Sequence, residues 1–183
     1  MTDLPSDLLD LAKSVIAAAK ATGCKLTTAE SCTGGLIGGC LTAVPGSSAV
    51  YIGGFITYSN ESKSRLLGVP RDAITEFGAV SDVVAAAMAE GALAQTDADF
   101  AIAVTGIAGP NGGSKEKPVG LVYLSVARRD SDALIKRYVF AGTRSDIRRA
   151  SVAAAMELLL GQIESAADED EEADQETGAD GGP

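Results

Sequence analysis

Histidine and tryptophan are absent from this chain of 183 residues, aromatic residues make up 4% of it, and cysteine occurs three times. Without histidine there is no Ser-His-Asp or Cys-His arrangement and no imidazole metal ligand, so an activated nucleophile must pass its proton to another base. Cys24, Cys32 and Cys40 form no Cys-x-x-Cys pair, and an odd number of thiols argues against a secreted disulfide framework. No run of about 18 apolar residues is present to span a membrane. The N-terminal MTDLPSDLLD carries acid where a signal peptide needs base, so a cytoplasmic protein is expected. An excess of basic residues is also missing. The net charge of −10 comes mainly from residues 165–183, which hold eight acidic and no basic side chains; setting those eight aside leaves −2. The remainder is close to neutral and gives no electrostatic reason to expect nucleic-acid binding. A stretch so acidic and so poor in apolar residues predicts a disordered tail over 165–183, beside a folded domain over 1–164.

What is present suits a single domain: 46% of the residues are hydrophobic, enough to bury a substantial core without staples. Apolar residues recur at helical spacing from Leu8 to Ala19, with Ser6 as the expected N-cap and Gly23 as the stop. Short β-rich runs follow at 25–29, 50–58, 100–105, 119–127 and 134–140, and helical patterns at 33–43, 61–67, 71–77, 82–95 and 145–163. Ser81 and Ser145 are the expected caps of the last two helices. Gly53-Gly54 inside the second strand points to a bulge or a close backbone approach. Strands interleaved with helices predict a three-layer α/β/α sandwich, and the polar turn between the last two strands predicts a mixed sheet.

Two segments carry chemistry. In TTAESCTGG at 27–35, a strand runs through Ser31 into a helix, which brings the serine beside backbone N–H groups suited to an oxyanion or a phosphate. In TYSNESK at 57–63, Lys63 can replace the missing histidine if burial lowers its pKa from about 10.4, and Tyr58 can relay a proton. Each residue has a plainer reading as well: Ser31 as a helix cap, Lys63 as a solvated surface lysine, Tyr58 as a packed strand residue. Cys32 is an alternative nucleophile, since a helix N-terminus can lower a thiol pKa. The loop GIAGPNGGSKEKP at 106–118 fits neither the Walker pattern nor the dinucleotide fingerprint.

Taken in order, TTAESCTGGLIGG at 27–39, VPGSSAVYIGGFITYSNESKSRLLGV at 44–69, GAVS at 78–81, AVTGIAGPNGGSKEKPVG at 103–120 and AGTRSDIRR at 141–149 resemble the C-terminal domain of the competence/damage-inducible protein CinA. That family has stand-alone members that deamidate nicotinamide mononucleotide. The resemblance implies hydrolysis of the nicotinamide amide to nicotinic acid mononucleotide and ammonia, with no metal and no cofactor. It implies Ser31 as nucleophile, Lys63 as base and Tyr58 in the proton network. Backbone N–H groups of Thr33, Gly34 and Gly35 would hold the oxyanion or phosphate. Ser48, Thr105 and Gly106 would shape the nucleotide pocket, and Glu30 and Arg144 would orient the substrate and meet its phosphate. A homo-oligomer, a dimer by preference, is also implied. The chain departs from the family pattern after Ala49, where Val50-Tyr51-Ile52-Gly53-Gly54 stands in place of bulky aromatic and charged residues. A catalytically silent nucleotide-binding or interaction module is the alternative from another class, and the same chemistry on a different small amide is a third reading.

Overall fold

Residues 4–178 are described by a computed structural model. The strand β1 (Leu26–Glu30) is buried along its whole length, and the sheet grows from it in both directions. It pairs in parallel with β2 (Tyr51–Ile56) on one side and β3 (Phe100–Gly106) on the other. β3 pairs antiparallel with β4 (Leu121–Arg128), and β4 antiparallel with β5 (Leu134–Val139). The order is β2-β1-β3-β4-β5, a mixed sheet as the polar turn at 128–132 predicts. The expected irregularity in β2 is a register shift opposite Leu26 and Thr27, where β2 carries one residue more than β1. A Cβ on Gly54 would meet Thr28 Oγ1 and the Tyr51 hydroxyl, and one on Gly38 would meet the same hydroxyl. The two glycines thus make room for Tyr51, which hydrogen-bonds Thr28 Oγ1 at 2.9 Å. The departure after Ala49 therefore has a local packing reason.

Alternation along β3 decides how the layers stack. Phe100, Ile102 and Val104 face α1 (Ser6–Thr22), α2 (Leu36–Thr42) and α6 (Arg144–Gly178), joining Ile16, Ile37, Met156 and Leu159 in one core. Ala101 and Ala103 face the other way, with Ala29 of β1, toward Leu67, Ile74 and Met88. Those residues come from α3 (Asn60–Leu67), α4 (Arg71–Phe77) and α5 (Asp82–Ala94). Alanines on that face let α5 lie close, and Gly91 of α5 lets it approach the Leu67 carbonyl of α3, where a Cβ would collide. The result is the expected α/β/α sandwich.

Several boundaries differ from expectation for identifiable reasons. Pro5 occupies the N-cap position of α1, and Ser6 is its first helical residue with no side-chain cap bond. The start of α6 is closed by Thr143, not Ser145: Thr143 N–H and Oγ1–H both donate to Asp146 Oδ2, at 2.8 and 2.6 Å, and Asp146 N–H returns to Thr143 Oγ1. Beyond Ile163, α6 continues to Gly178, where acidity had predicted disorder from 165. Ala166 is 7% exposed against the core and Glu169 pairs with Arg128 at 2.7 Å, contacts that hold the chain helical. Residues 179–183 of the expected tail lie outside the described residues. Among the described residues, no helix is long and apolar enough to cross a membrane.

Two glycine substitutions should move stability in opposite directions. Gly91→Ala forces α5 away from α3 and should cost about 2 kcal/mol by overpacking, read as a melting temperature lower by roughly 4–8 °C. Gly161→Ala, in α6 with nothing within 4 Å of a new Cβ, should raise stability by about 0.5–1 kcal/mol. Equal melting temperatures for the two variants would contradict this packing.

Candidate active site

The chain leaves β1 toward β2 through α2 on one face and reaches β3 through α3, α4 and α5 on the other. The connections that leave β1 and β2 thus go to opposite faces, which makes the C-terminal ends of these neighbouring strands a topological switch point, where a crevice opens in such sheets. Ser31 is the first residue beyond β1, and its N–H donates to Val104 O of β3 at 3.0 Å. Residues 31–34 form a β-turn closed by Gly34 N–H on Ser31 O at 3.1 Å. Gly34 and Gly35 then adopt φ of +62° and +93°, left-handed values that a side chain would oppose. The turn delays α2 to Leu36, three residues later than the sequence pattern suggests.

Lys63 reaches this turn from α3, whose start is fixed by reciprocal bonds between Ser59 and Ser62. Its side chain is buried, the residue being 1% exposed. Nζ lies 3.0 Å from Ser31 Oγ and donates to Thr57 O at 2.7 Å. Desolvation lowers the Lys63 pKa from 10.5 to about 8, so near-neutral solution holds an appreciable fraction of free amine beside the hydroxyl. The surface-lysine reading of Lys63 is thereby corrected. Cys32, 5% exposed, has the opposite fate: burial pushes its pKa up to about 11. It stays a thiol at physiological pH and lacks the thiolate needed to attack.

A cleft of about 170 Å³ opens at this point, lined by Ser31, Cys32, Tyr58, Asn60, Lys63, Ala79, Val80, Thr105, Gly106, Ala108 and Arg144. Of these, only Lys63 and Arg144 carry positive charge. Arg144 donates to Gly109 O at 2.9 Å and to the Tyr58 hydroxyl at 3.1 Å.

A family model described as CinA C-terminal domain matches residues 8–163. The chain belongs to that family. It is 45% identical over 163 residues to the nicotinamide-nucleotide amidohydrolase PncC of Escherichia coli K12, a match covering 89% of this chain and 98% of that protein. With a CinA-like protein of Leptospira biflexa the identity is 53% over 123 residues, 67% of this chain and 30% of that longer protein. The crystal structure of the competence/damage inducible protein CihA from Agrobacterium tumefaciens superposes with a TM-score of 0.85 at 48% identity, covering 88% of this chain and 98% of that one.

The structure sorts the residues that the CinA family pattern singles out. Ser31, Lys63, Tyr58, Thr105, Gly106 and Arg144 meet at the cleft. Tyr58 is 62% exposed and joined to Arg144, with no hydrogen bond to Ser31 or Lys63, so it stands at the cleft rim. Thr105 Oγ1 donates to Ala79 O at 2.7 Å, tying β3 to the segment before α5. Glu30 is not a substrate ligand in this arrangement. Buried at 1% exposure, its carboxylate accepts from the N–H groups of Gly35, Ile37 and Gly38 at 2.9, 3.1 and 2.8 Å. Gly35 N–H is thus occupied, and Gly34 N–H is held by Ser31 O, so neither is free for an oxyanion. Of the three expected donors, Thr33 N–H alone has no partner among the described residues.

Ser48 lies apart. It is exposed in the short 3-10 turn Ser47–Ala49, which leads into the end of β2 beside Leu26. That is the far end of β1 from Ser31, so no contact within one chain brings Ser48 to the cleft. Asn60, Ala79, Val80, Ala108 and Arg148 went unremarked as single residues, although all lie inside the quoted motifs. Arg148 donates from Nε to Cys32 O at 3.1 Å and from Nη2 to Thr33 O at 2.8 Å.

Burial of Lys63 makes a testable contribution to stability. Its folded pKa of about 8 lies below the ordinary 10.5, so between those values the unfolded chain binds more protons. Wild-type stability therefore gains with rising pH across that window. Denaturant titrations from pH 8 to 10.5 should show wild type improving relative to Lys63→Met by on the order of 3 kcal/mol. A difference independent of pH would mean that Lys63 titrates normally.

Proposed function

We propose that the protein hydrolyses the carboxamide of nicotinamide mononucleotide to nicotinic acid mononucleotide and ammonia in the cytoplasm, with Ser31 as nucleophile and Lys63 as its base. The observation that carries the mechanism is the 3.0 Å contact between Lys63 Nζ and Ser31 Oγ inside a buried pocket. The substrate assignment is supported by the 45% identity to a nicotinamide-nucleotide amidohydrolase along 98% of that protein.

The steps follow from the geometry. In the neutral form Lys63 accepts the Ser31 proton as Oγ bonds to the amide carbon, and the carbonyl oxygen takes the negative charge. Lys63 returns that proton to the leaving nitrogen as the C–N bond breaks, releasing ammonia and leaving an ester on Ser31. Water then attacks the ester, Lys63 accepts its proton, and the proton goes back to Oγ as the carboxylic acid leaves. The net change consumes one water and restores the enzyme. No metal or cofactor enters the sequence. Arg144, at the rim with its guanidinium already on Tyr58 and Gly109, is the cation we assign to the substrate phosphate. Binding energy from that remote phosphate positions the amide over Ser31. The protein is further taken to act as a homodimer.

Ser31→Ala and Lys63→Ala should each lower kcat for ammonia release from nicotinamide mononucleotide by about 1,000-fold or more, with the double variant little worse than either single one. Cys32→Ala should keep most activity, and wild-type kcat should rise with pH toward a plateau above the Lys63 pKa of about 8. Near-normal turnover by Ser31→Ala with loss in Cys32→Ala would move the nucleophile one residue along the turn. Free nicotinamide, lacking the phosphate, should react poorly; comparable rates would overturn the nucleotide reading. Light scattering should give twice the 18.5 kDa of one chain, and a monomer would contradict the dimer.

A further inference from the structure

None of the three backbone donors expected at the nucleophile turn is free to serve the cleft. Gly34 and Gly35 N–H are occupied, and Thr33 is fully buried and absent from the cleft lining. Cys32 does line the cleft, and its N–H has no partner among the described residues. One N–H still leaves the second lone pair of a reacting carbonyl oxygen unmet. The side chains of the cleft wall are mostly committed elsewhere. Thr105 Oγ1 donates to Ala79 O, Lys63 Nζ donates to Ser31 Oγ and Thr57 O, and Arg144 donates to Gly109 O and the Tyr58 hydroxyl. Asn60 is the exception. It lines the cleft, and its carboxamide has no hydrogen-bond partner among the described residues, although it carries two N–H donors. It is exposed as the first residue of α3, directly after the Ser59 cap. Three positions separate it from Lys63, so the two side chains share a helix face, and that face meets Ser31. Asn60 also borders a groove of about 410 Å³ between α3 and α4, which places it where the cleft opens.

We infer that Asn60 is a further catalytic residue: its carboxamide N–H donates to the substrate oxygen that becomes negative when Ser31 attacks. A neutral side chain suits that task, because it stabilises the developing charge without competing with Lys63 for the proton. The inference rests on the Ser31–Lys63 reading above. It differs from the role of a solvated polar residue at a helix start in what it predicts: the loss falls on the step in which charge develops, not on substrate binding or folding.

The test compares wild type, Asn60→Ala and Asn60→Asp in melting temperature, in kcat and KM for nicotinamide mononucleotide across pH, and in the rate at which a small fluorophosphonate labels Ser31. The phosphonyl oxygen of that probe needs the same donor but no nucleotide pocket. Asn60→Asp keeps the shape without the donors, and an acid suits the first turn of a helix. Asn60→Ala should lose about 100-fold in kcat and in labelling rate with KM within about 2-fold, its pH dependence unchanged. Asn60→Asp should lose at least as much, and its kcat should rise at higher pH than in wild type, because a carboxylate on that face favours charged Lys63. Near-normal kcat in Asn60→Ala would overturn the inference, as would a loss confined to KM, which would make Asn60 a binding residue only. An unmoved pH profile in Asn60→Asp would place the side chain away from Lys63 and overturn it, and failure of both variants to fold would make Asn60 a stability residue and overturn it too. Wild type that labels on Ser31 but leaves the nucleotide intact would remove the proposed substrate, while the labelling rates still decide the role of Asn60. Wild type not labelled on Ser31 would remove the nucleophile and this inference with it.

Discussion

Burial of one lysine is the constraint on which the site depends. Lys63 has two polar neighbours, a hydroxyl and a carbonyl, and among the described residues no carboxylate pairs with it. A charge taken out of water without a counter-charge is costly, and the neutral amine is the form that escapes the cost. The chain keeps the residue there by fixing both ends of a short helix. Ser59 and Ser62 close its start, and Gly68, at φ +68°, returns its N–H to the Lys63 and Ser64 carbonyls at its end. A histidine would supply a base near neutrality without such an arrangement; a lysine supplies one only because the fold withholds water from it.

The turn carrying Ser31 is held by charge from two sides. Glu30 gathers three N–H groups at the start of α2, where a helix presents unpaired donors and favours an anion. Arg148, from α6, gathers two carbonyls of the same turn. Between them they leave few backbone groups uncommitted, and this shapes the site more strictly than an open helix N-terminus would. The sequence pattern Glu-Ser-Cys-Thr-Gly-Gly suggests free donors through Gly35 because a strand that runs into a helix leaves the first helical N–H groups unpaired, whereas Glu30 takes the Gly35 N–H here. Its position immediately before Ser31, at the end of a strand buried on both faces, is what sends its side chain under α2 instead.

Much of the fold was legible because periodicity and punctuation agreed. The apolar run at 100–105, the β-rich run at 134–140, the Ser81 cap and the glycines after the helices mark elements that the structure places within a few residues. The pairing of Ser31 with Lys63 was legible as residue types missing their usual partner, but burial was not, since it depends on layers brought together across 32 positions of sequence. Arg148 was hidden for the same reason: an arginine on an amphipathic helix looks solvated until its far partners, Cys32 and Thr33, are placed. Ser48 shows the reverse, a residue inside a recognisable motif that the sheet carries to the wrong end of β1. The tail at 165–178 misled because composition weighs charge, whereas Ala166 and Glu169 act through particular contacts with the sheet side of the domain.

The thiol next to the nucleophile has a consequence for chemistry in the cell. Peroxides and electrophiles react with cysteine through its thiolate, in proportion to its fraction and its access. Cys32 is nearly enclosed and its pKa is about 11, so that fraction is small at any physiological pH. In the proposed mechanism the attacking atom is the Ser31 oxygen, which climbs no oxidation ladder. Under that mechanism the reacting group offers peroxides and electrophiles no thiolate, where a cysteine nucleophile at the same turn would.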